Sequence, residues 1–154
     1  MEPWDRLGAQ VTCTDQAKII PVLEESLKEL DRQQGHHAEA GGSIRIVSLD
    51  WGQDGFAASE FHNEEVHYDV IVSAELVYLE ETHDLLLWTW DRFCSPETTI
   101  YSVFINRPFS WNFFAIVHDS GLFEVQQLDE EKDFDPCGLE EVYIHVVTRK
   151  LKND

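Results

Sequence analysis

Polar and aromatic side chains follow three predicted β-strands, at the points where these strands end. Asp15 closes the first strand, Asp50 and Trp51 follow the second, and Glu75 follows the third. Open α/β sheets bind their ligands at the carboxyl ends of parallel strands. Because three strands each deliver a polar or aromatic residue to that edge, the sequence predicts a nucleotide-like cofactor site.

The periodicity of apolar residues defines the elements that position these side chains. The predicted strands are Val11–Asp15, Ile44–Leu49, Tyr68–Ser73, Thr98–Ile105, Phe123–Leu128 and Val142–Thr148, and helices are predicted from Ile19 to Gly35, from Leu79 to Phe93 and, capped by Asn106, up to Gly121. Loops are expected at Gly52–Val66 and Asp129–Glu141, and both are candidates for contact with a partner. The order indicates a three-layer α/β sheet, mostly parallel, with a C-terminal antiparallel hairpin.

The composition is that of an acidic globular chain. It has 154 residues, 11 of them basic and 30 acidic, with a formal net charge of -19. This length fits one domain over residues 1–154 with a sizeable core. The chain lacks the clustered Lys and Arg that nucleic-acid phosphates require, so direct nucleic-acid binding is not expected. The charge favours a basic protein partner, or it serves only to keep the protein in solution.

Cysteine usage indicates a reducing compartment. Cys13, Cys94 and Cys137 are far apart and odd in number, which is typical of intracellular proteins. There is no apolar run of membrane-spanning length and no signal-peptide pattern, so we expect a cytoplasmic location, with the nucleus as the alternative, and no membrane partner. His36 and His37 lie among glycines without a third ligand nearby in sequence, and we expect a solvated loop there rather than a metal site.

Three ordered motifs resemble a known family. They are Leu7 to Asp15, Leu49-Asp50-Trp51-Gly52, and Ser73 to Glu81. In these motifs and in their spacing the chain is similar to the seven-β-strand, S-adenosylmethionine-dependent methyltransferases of family 16, the methyltransferase-like protein-lysine methyltransferases. The resemblance covers nearly the whole chain from Leu7 onward and is sharpest up to Asp84. It implies a Rossmann-like class I methyltransferase sheet of strand order 3-2-1-4-5-7-6, and methyl transfer to a lysine side chain of a protein.

The resemblance also implies the residues that bind S-adenosylmethionine. Asp15 resembles the acidic residue whose carboxylate accepts hydrogen bonds from the ribose hydroxyls, although it could instead cap the following helix. Trp51 resembles the tryptophan that packs against the adenine, with Asp50 beside it, although a core aromatic is the alternative. Ala74 completes the implied cofactor-binding set.

Two catalytic residues are implied in the same way. Glu75 and Tyr78 resemble the acidic-x-x-aromatic motif that faces the substrate lysine near the methyl group. Residues three apart at a helix start can share a face. Many relatives carry Asp at this position, and the side chain of Glu75 is longer than that of Asp by one methylene. The alternative is that Glu75 caps the following helix and Tyr78 packs in the core.

The glycine-rich loop of the family has no counterpart in the sequence. It would lie before Leu7, where only six residues stand, and none of the glycines at 35, 41, 42, 52 and 55 both follows a strand and opens a helix. We therefore expect an N-terminally truncated chain that lacks the first, central strand of the family sheet. Two hypotheses follow: a lysine methyltransferase domain that needs the missing element, or a non-catalytic protein-binding relative or inactive form. In either case the expected partner is a Lys-rich protein, such as a translation factor, chaperone or histone. The oligomeric state stays open.

Overall fold

The computed structural model describes residues 8–34, 42–128 and 142–150. Its backbone contacts divide the chain into two compact units. The first unit comprises Met1–Asp50 and Asp54–Glu64, and the second comprises Trp51–Gln53 and Glu65–Asp154. Among the described residues, no helix combines the length and the apolar composition that crossing a bilayer requires.

The first unit is built on a parallel pair of strands. Strand β1 (Gln10–Asp15) leads into helix α1 (Ile20–Gln34), and strand β2 (Ser43–Ser48) then pairs with β1 along its full length. The segment predicted as a loop contains a short helix, α2 (Gln53–Ala58), and a 3₁₀ turn at Glu60–Asn63. That loop prediction was therefore wrong in part, because so short an amphipathic stretch gives little periodic signal.

A surface ion-pair group ties the 3₁₀ turn to β2. The Arg45 guanidinium lies 3.1 Å from carboxylate oxygens of both Glu60 and Glu64, and it stacks 5.3 Å from the ring centroid of Phe61. Its hydrogen bond lowers the pKa of Glu64, and the two carboxylates raise the pKa of Arg45. Phe61 is fully buried beneath this group, so the turn is anchored by packing as well as by charge.

The second unit contains a mixed four-stranded sheet. Its elements are β3 (Tyr68–Ala74), a 3₁₀ turn (Glu80–Thr82), α3 (His83–Phe93), β4 (Cys94–Ile105), α4 (Ser110–Asp119), β5 (Phe123–Gln127) and β6 (Val142–Arg149). The strand order is β3-β4-β6-β5, with β3 and β4 parallel and the remaining pairs antiparallel. The predicted hairpin is confirmed, with β6 inserted between β4 and β5.

The core of this unit lies where helices α3 and α4 cover the sheet. Ile100 and Phe104 alternate with exposed residues along β4, and Leu86, Trp90 and Phe113 pack against them from the helices. Every second residue is buried along β4, and residues at helical spacing are buried on α3. The same two spacings of apolar residues predicted these elements from the sequence.

Three details differ from the predicted elements. Helix α3 begins at His83 rather than near Leu79, since a 3₁₀ turn precedes it. Asn106 does not cap α4; the cap position is Phe109, whose φ is 72°. The described strands form two sheets instead of one mostly parallel sheet, because β1 pairs only with β2 and β3 pairs only with β4 in the described part of the chain.

Candidate active site

Asp15 ends β1 in the first unit. The Leu49 amide donates to the Asp15 carbonyl at 2.9 Å, which keeps the ends of the parallel strands β1 and β2 adjacent. The half-buried Asp15 carboxylate accepts a hydrogen bond from the Gln16 amide at 2.7 Å. Helix α1 begins only at Ile20, so Asp15 does not cap it. A carboxylate with one oxygen held by the backbone and a second available for donors suits recognition of a diol.

Asp50 follows β2 and is exposed. The backbone carbonyl of Asp50 packs closely against Gly55 of helix α2. A Cβ at Gly55 would lie 2.0 Å from the Asp50 carbonyl oxygen, far inside contact distance. Glycine is therefore required at this position for the chain to turn directly after Asp50.

Trp51 and Gly52 belong to the second unit. Gly52 has a φ of 90°, and its amide donates to the Thr89 hydroxyl on α3 at 2.9 Å. Trp51 is half-buried and packs against the core of this unit. Part of the Trp51 side chain therefore packs as a core aromatic, as the alternative interpretation expected. The rest of the side chain is exposed to solvent.

The end of β3 carries Ala74 and Glu75. Ala74 is exposed, and it pairs with Val103 of β4. Glu75 adopts a left-handed backbone with a φ of 57°, which is uncommon for a residue with a side chain. Its amide donates to the Val103 carbonyl at 2.8 Å, and its carboxylate accepts from the Ile105 amide. Glu75 is therefore fixed against the end of β4 and does not cap α3.

Arg107 joins Glu75 and Tyr78 into one cluster. An Arg107 amino group lies 2.7 Å from the second Glu75 carboxylate oxygen, and the guanidinium carbon lies 5.2 Å from the ring centroid of Tyr78. Tyr78 is 42% exposed, so it is not the core residue of the alternative interpretation. The structure thus brings the two predicted catalytic residues together through a cation, and all three side chains are partly open to solvent.

Arg107 was not among the residues predicted from the sequence. It lies just beyond β4, the parallel neighbour of β3, and hence at the same edge as Glu75. The rule that parallel strands present their carboxyl ends at one edge would have found it, had it been applied to the fourth strand as well as to the first three.

Apolar side chains that neighbour this cluster in sequence are exposed on the second unit. Besides Tyr78, four of them are 40–54% exposed: Leu79, Ile105, Phe109 and Trp111. Phe109 has a left-handed backbone, like Glu75, and these are the two such non-glycine residues among the described positions. Strained backbone of this kind concentrates at functional sites.

A row of buried polar residues crosses the sheet one position before Ala74. Ser73, Ser102 and His145 are register neighbours on β3, β4 and β6, and each is at most 3% exposed. Within the described ranges, the two hydroxyls and the His145 Nδ1 have no hydrogen-bond partner. Burial lowers the pKa of His145 to about 4, so the imidazole is neutral at pH 7.

The two units hold different parts of the predicted site. Asp15 and Asp50 lie in the first, and Trp51, Ala74, Glu75 and Tyr78 lie in the second. The loop Asp129–Glu141, the histidine pair His36–His37 and Cys137 lie outside the described residues. Within the described residues there is no group of three or more His, Cys, Asp or Glu that could hold a metal ion.

Comparison with solved structures supports the fold. The chain is similar to a methyltransferase from Pyrococcus furiosus, with a TM-score of 0.57 and 16% identity, over 92% of this chain and 62% of that one. It is also similar to a fibrillarin pre-rRNA processing protein from Methanococcus jannaschii, with a TM-score of 0.59 and 15% identity, over 93% of this chain and 57% of that one. The fold is therefore the Rossmann-like α/β fold of class I methyltransferases.

Comparison with curated proteins and family models identifies the family. The chain is 38% identical over 96 residues to EEF1A lysine methyltransferase 3 of Mus musculus, covering 61% of this chain and 35% of that protein. It is 28% identical over 130 residues to protein N-lysine methyltransferase METTL21A of Mus musculus, covering 82% of this chain and 54% of that protein. The chain thus spans between a third and just over half of these relatives. A family model described as lysine methyltransferase matches residues 5–120, and the chain therefore belongs to the lysine methyltransferase family.

Proposed function

We propose that the chain belongs to an S-adenosylmethionine-dependent protein N-methyltransferase that modifies a lysine side chain. The observation that carries the proposal is the cluster at the end of β3, where Glu75 and Tyr78 share one cation. A carboxylate beside an aromatic face suits a lysine side chain, because the carboxylate can accept a hydrogen bond from the amine and the ring can pack against the alkyl chain. Family membership supports the reaction class.

The chemistry of the donor set fits the cofactor. The Asp15 carboxylate suits a ribose diol, and the partly exposed Trp51 ring suits a purine face. Asp50 and Ala74 follow strand ends and complete the proposed cofactor-binding set. When bound, S-adenosylmethionine supplies a methyl group whose bond to sulfur breaks as a bond to the attacking nitrogen forms.

The protein's part in this reaction is to position the amine. Glu75 can aim the amine through a hydrogen bond, since its backbone and carboxylate are fixed to β4. The Tyr78 ring can pack against the alkyl chain of the lysine, whose amine loses its proton to water before it attacks. Alignment within a fraction of an ångström dominates the rate of such a displacement. No covalent enzyme intermediate is required.

The acidic composition supports a basic protein substrate. A formal charge of -19 attracts Lys-rich surfaces and repels nucleic-acid phosphates. We propose a translation factor, chaperone or histone as the substrate class, and the name of the mouse relative EEF1A lysine methyltransferase 3 gives weight to the first. A single domain over residues 1–154 and a cytoplasmic or nuclear location remain predictions.

The function can be tested by methyl transfer to Lys-rich proteins, detected by mass spectrometry. Glu75→Gln should reduce kcat/KM by about 10- to 100-fold, because the amine is no longer aimed. Tyr78→Ala should reduce it by about two- to fivefold, while Tyr78→Phe keeps the ring and stays near wild type. Glu81→Gln, an exposed acid in the neighbouring turn, is the matched control. Wild-type rates in the Glu75→Gln protein would contradict the proposal.

One observation favours a second candidate, a non-catalytic protein-binding relative. In the described part of the chain β1 pairs only with β2, and β3 pairs only with β4. A relative whose site does not bind the cofactor could still bind a basic partner through its acidic surface. Cofactor binding distinguishes the two candidates.

A further inference from the structure

Arg107 occupies the place where a substrate ammonium is expected in the candidate site. Its guanidinium contacts Glu75 at 2.7 Å and lies over the Tyr78 ring at 5.2 Å, so one side chain of the protein takes both groups proposed to receive the lysine. The other oxygen of the Glu75 carboxylate is taken by the Ile105 amide. A protonated lysine therefore meets a carboxylate that already has its counter-ion.

The backbone around Arg107 holds it in this position. The Arg107 amide donates to the Ser110 hydroxyl at 3.3 Å, and the Ser110 amide donates to the Arg107 carbonyl at 3.1 Å. Ser110 is buried at the start of α4. A second link joins the same end of α4 to the turn after Tyr78, because the Asn112 side-chain Nδ2 donates to the Glu80 carboxylate at 3.2 Å. Arg107 is thus positioned by the fold, although its side chain is 48% exposed.

The charge that Arg107 contributes matters for the proposed reaction. A lysine nitrogen attacks only when it has lost its proton, and a lone carboxylate beside it would stabilise the ammonium and oppose that loss. A neighbouring cation has the reverse effect and lowers the pKa of an amine. Paired with Arg107, Glu75 can still accept a hydrogen bond from a neutral amine without favouring its protonated form.

We propose that Arg107 is a specificity-determining residue that makes this site accept the lysine amine in its neutral form rather than as an ammonium. This inference rests on the proposed function, because it assigns the Glu75–Tyr78 cluster to the substrate amine. The charged and titratable groups that face the amine position are Glu75, Tyr78 and Arg107, with Glu80 on the adjoining turn.

The first test measures binding and does not require activity. The probes are the acetylated amides of trimethyl-lysine, a permanent cation, and of norleucine, its uncharged counterpart, titrated into the full chain while NMR follows the Tyr78 ring. Arg107→Gln should lower the ratio of the cation Kd to the neutral Kd about two- to fivefold, the range expected for one exposed ion pair. Arg107→Lys should retain the wild-type ratio, and Lys150→Gln is the control for the same loss of charge.

The outcomes separate this inference from the proposed function. An unchanged ratio in Arg107→Gln, or no saturable binding of either probe to that folded variant, would overturn the role of Arg107. A lowered ratio in a protein that transfers no methyl group would support the role of Arg107 while contradicting the proposed function. Where methyl transfer is measurable, the pH midpoint of kcat/KM should move upward in Arg107→Gln and stay in place in Arg107→Lys, which a loss of folding alone would not produce.

Discussion

His145 should make the stability of the fold depend on pH. The residue is 3% exposed on β6, and its ring lies 4.1 Å from that of Phe114 and 5.2 Å from that of Phe104, centroid to centroid. Burial among these rings lowers its pKa from 6.5 to about 4. Because the folded-state pKa lies below the unfolded value, folding favours the neutral imidazole. The stabilisation is present above pH 6.5 and is lost as the pH falls toward 4.

The size of this effect follows from linkage. One pKa unit corresponds to about 1.4 kcal/mol, and integration between the two pKa values gives a loss of about 2 kcal/mol from pH 7 to pH 5. Replacement by Phe removes the titrating group and an Nδ1 that finds no hydrogen-bond partner in the part of the chain that the structure describes, so His145→Phe should change stability at pH 7 by less than about 1.5 kcal/mol. In this variant the free energy of unfolding should no longer contain the pH-dependent contribution of His145.

Urea unfolding at pH 7, 6 and 5 measures the effect. The difference in free energy of unfolding between pH 7 and pH 5 should be about 2 kcal/mol smaller in His145→Phe than in the wild type. The exposed His67 supplies the control, and His67→Gln should keep the wild-type slope. The same slope in His145→Phe and wild type would refute the assignment of a depressed pKa to the buried imidazole.

Three further predictions concern the elements that hold the site. Gly55→Ala should cost about 1–3 kcal/mol, because the new Cβ would lie 2.0 Å from the Asp50 carbonyl oxygen, and equal melting temperatures for Gly55→Ala and wild type would contradict this packing. Gly121→Ala meets open space but has a φ of 68°, so it should cost about 1 kcal/mol from backbone strain alone. Arg149→Met should lower the free energy of unfolding in urea by about 1.5–3 kcal/mol. Arg149 binds the Asp91 side chain and the carbonyls of Asp91 and Cys94 at the end of α3, and these contacts would be lost. Lys150→Met is the control and should leave the free energy of unfolding unchanged. Burial raises the pKa of Cys94 to about 11. Iodoacetamide at pH 8 should therefore leave the Cys94 thiol unmodified until denaturant is added. Rapid alkylation of Cys94 in the folded protein would contradict this prediction.

The sequence predicted most strands and the edge on which the candidate residues lie. Alternation along Thr98–Ile105 and helical spacing along α3 have strong periodic signals, and both elements are present. The start of α3 was misplaced by four residues, because the 3₁₀ turn at Glu80–Thr82 continues the same apolar spacing without forming an α-helix. Asn106 was the better cap by residue type, yet the left-handed Phe109 precedes α4, since contacts of the whole fold override local preference there.

The electrostatic environment of the site could not be predicted from motif spacing. Glu75 and Tyr78 were found as a pair, but their shared contact with Arg107 depends on the parallel pairing of β3 with β4, which brings residues 32 positions apart together. The buried polar row of Ser73, Ser102 and His145 likewise arises from strand register. The apolar alternation of a strand sets which of its residues face the core, but it does not identify the residue that lies opposite on a neighbouring strand.

Cofactor binding distinguishes the methyltransferase from the non-catalytic candidate. Calorimetric titration of S-adenosylmethionine into the full chain should show saturable binding that is about tenfold or more weaker in Asp15→Asn, because a charge-assisted hydrogen bond to the ribose is lost. Glu24→Gln, which removes the same charge from an exposed position on α1, should bind like the wild type. Absence of binding to the folded wild-type chain, or equal binding by Asp15→Asn, would contradict the account and favour the non-catalytic candidate.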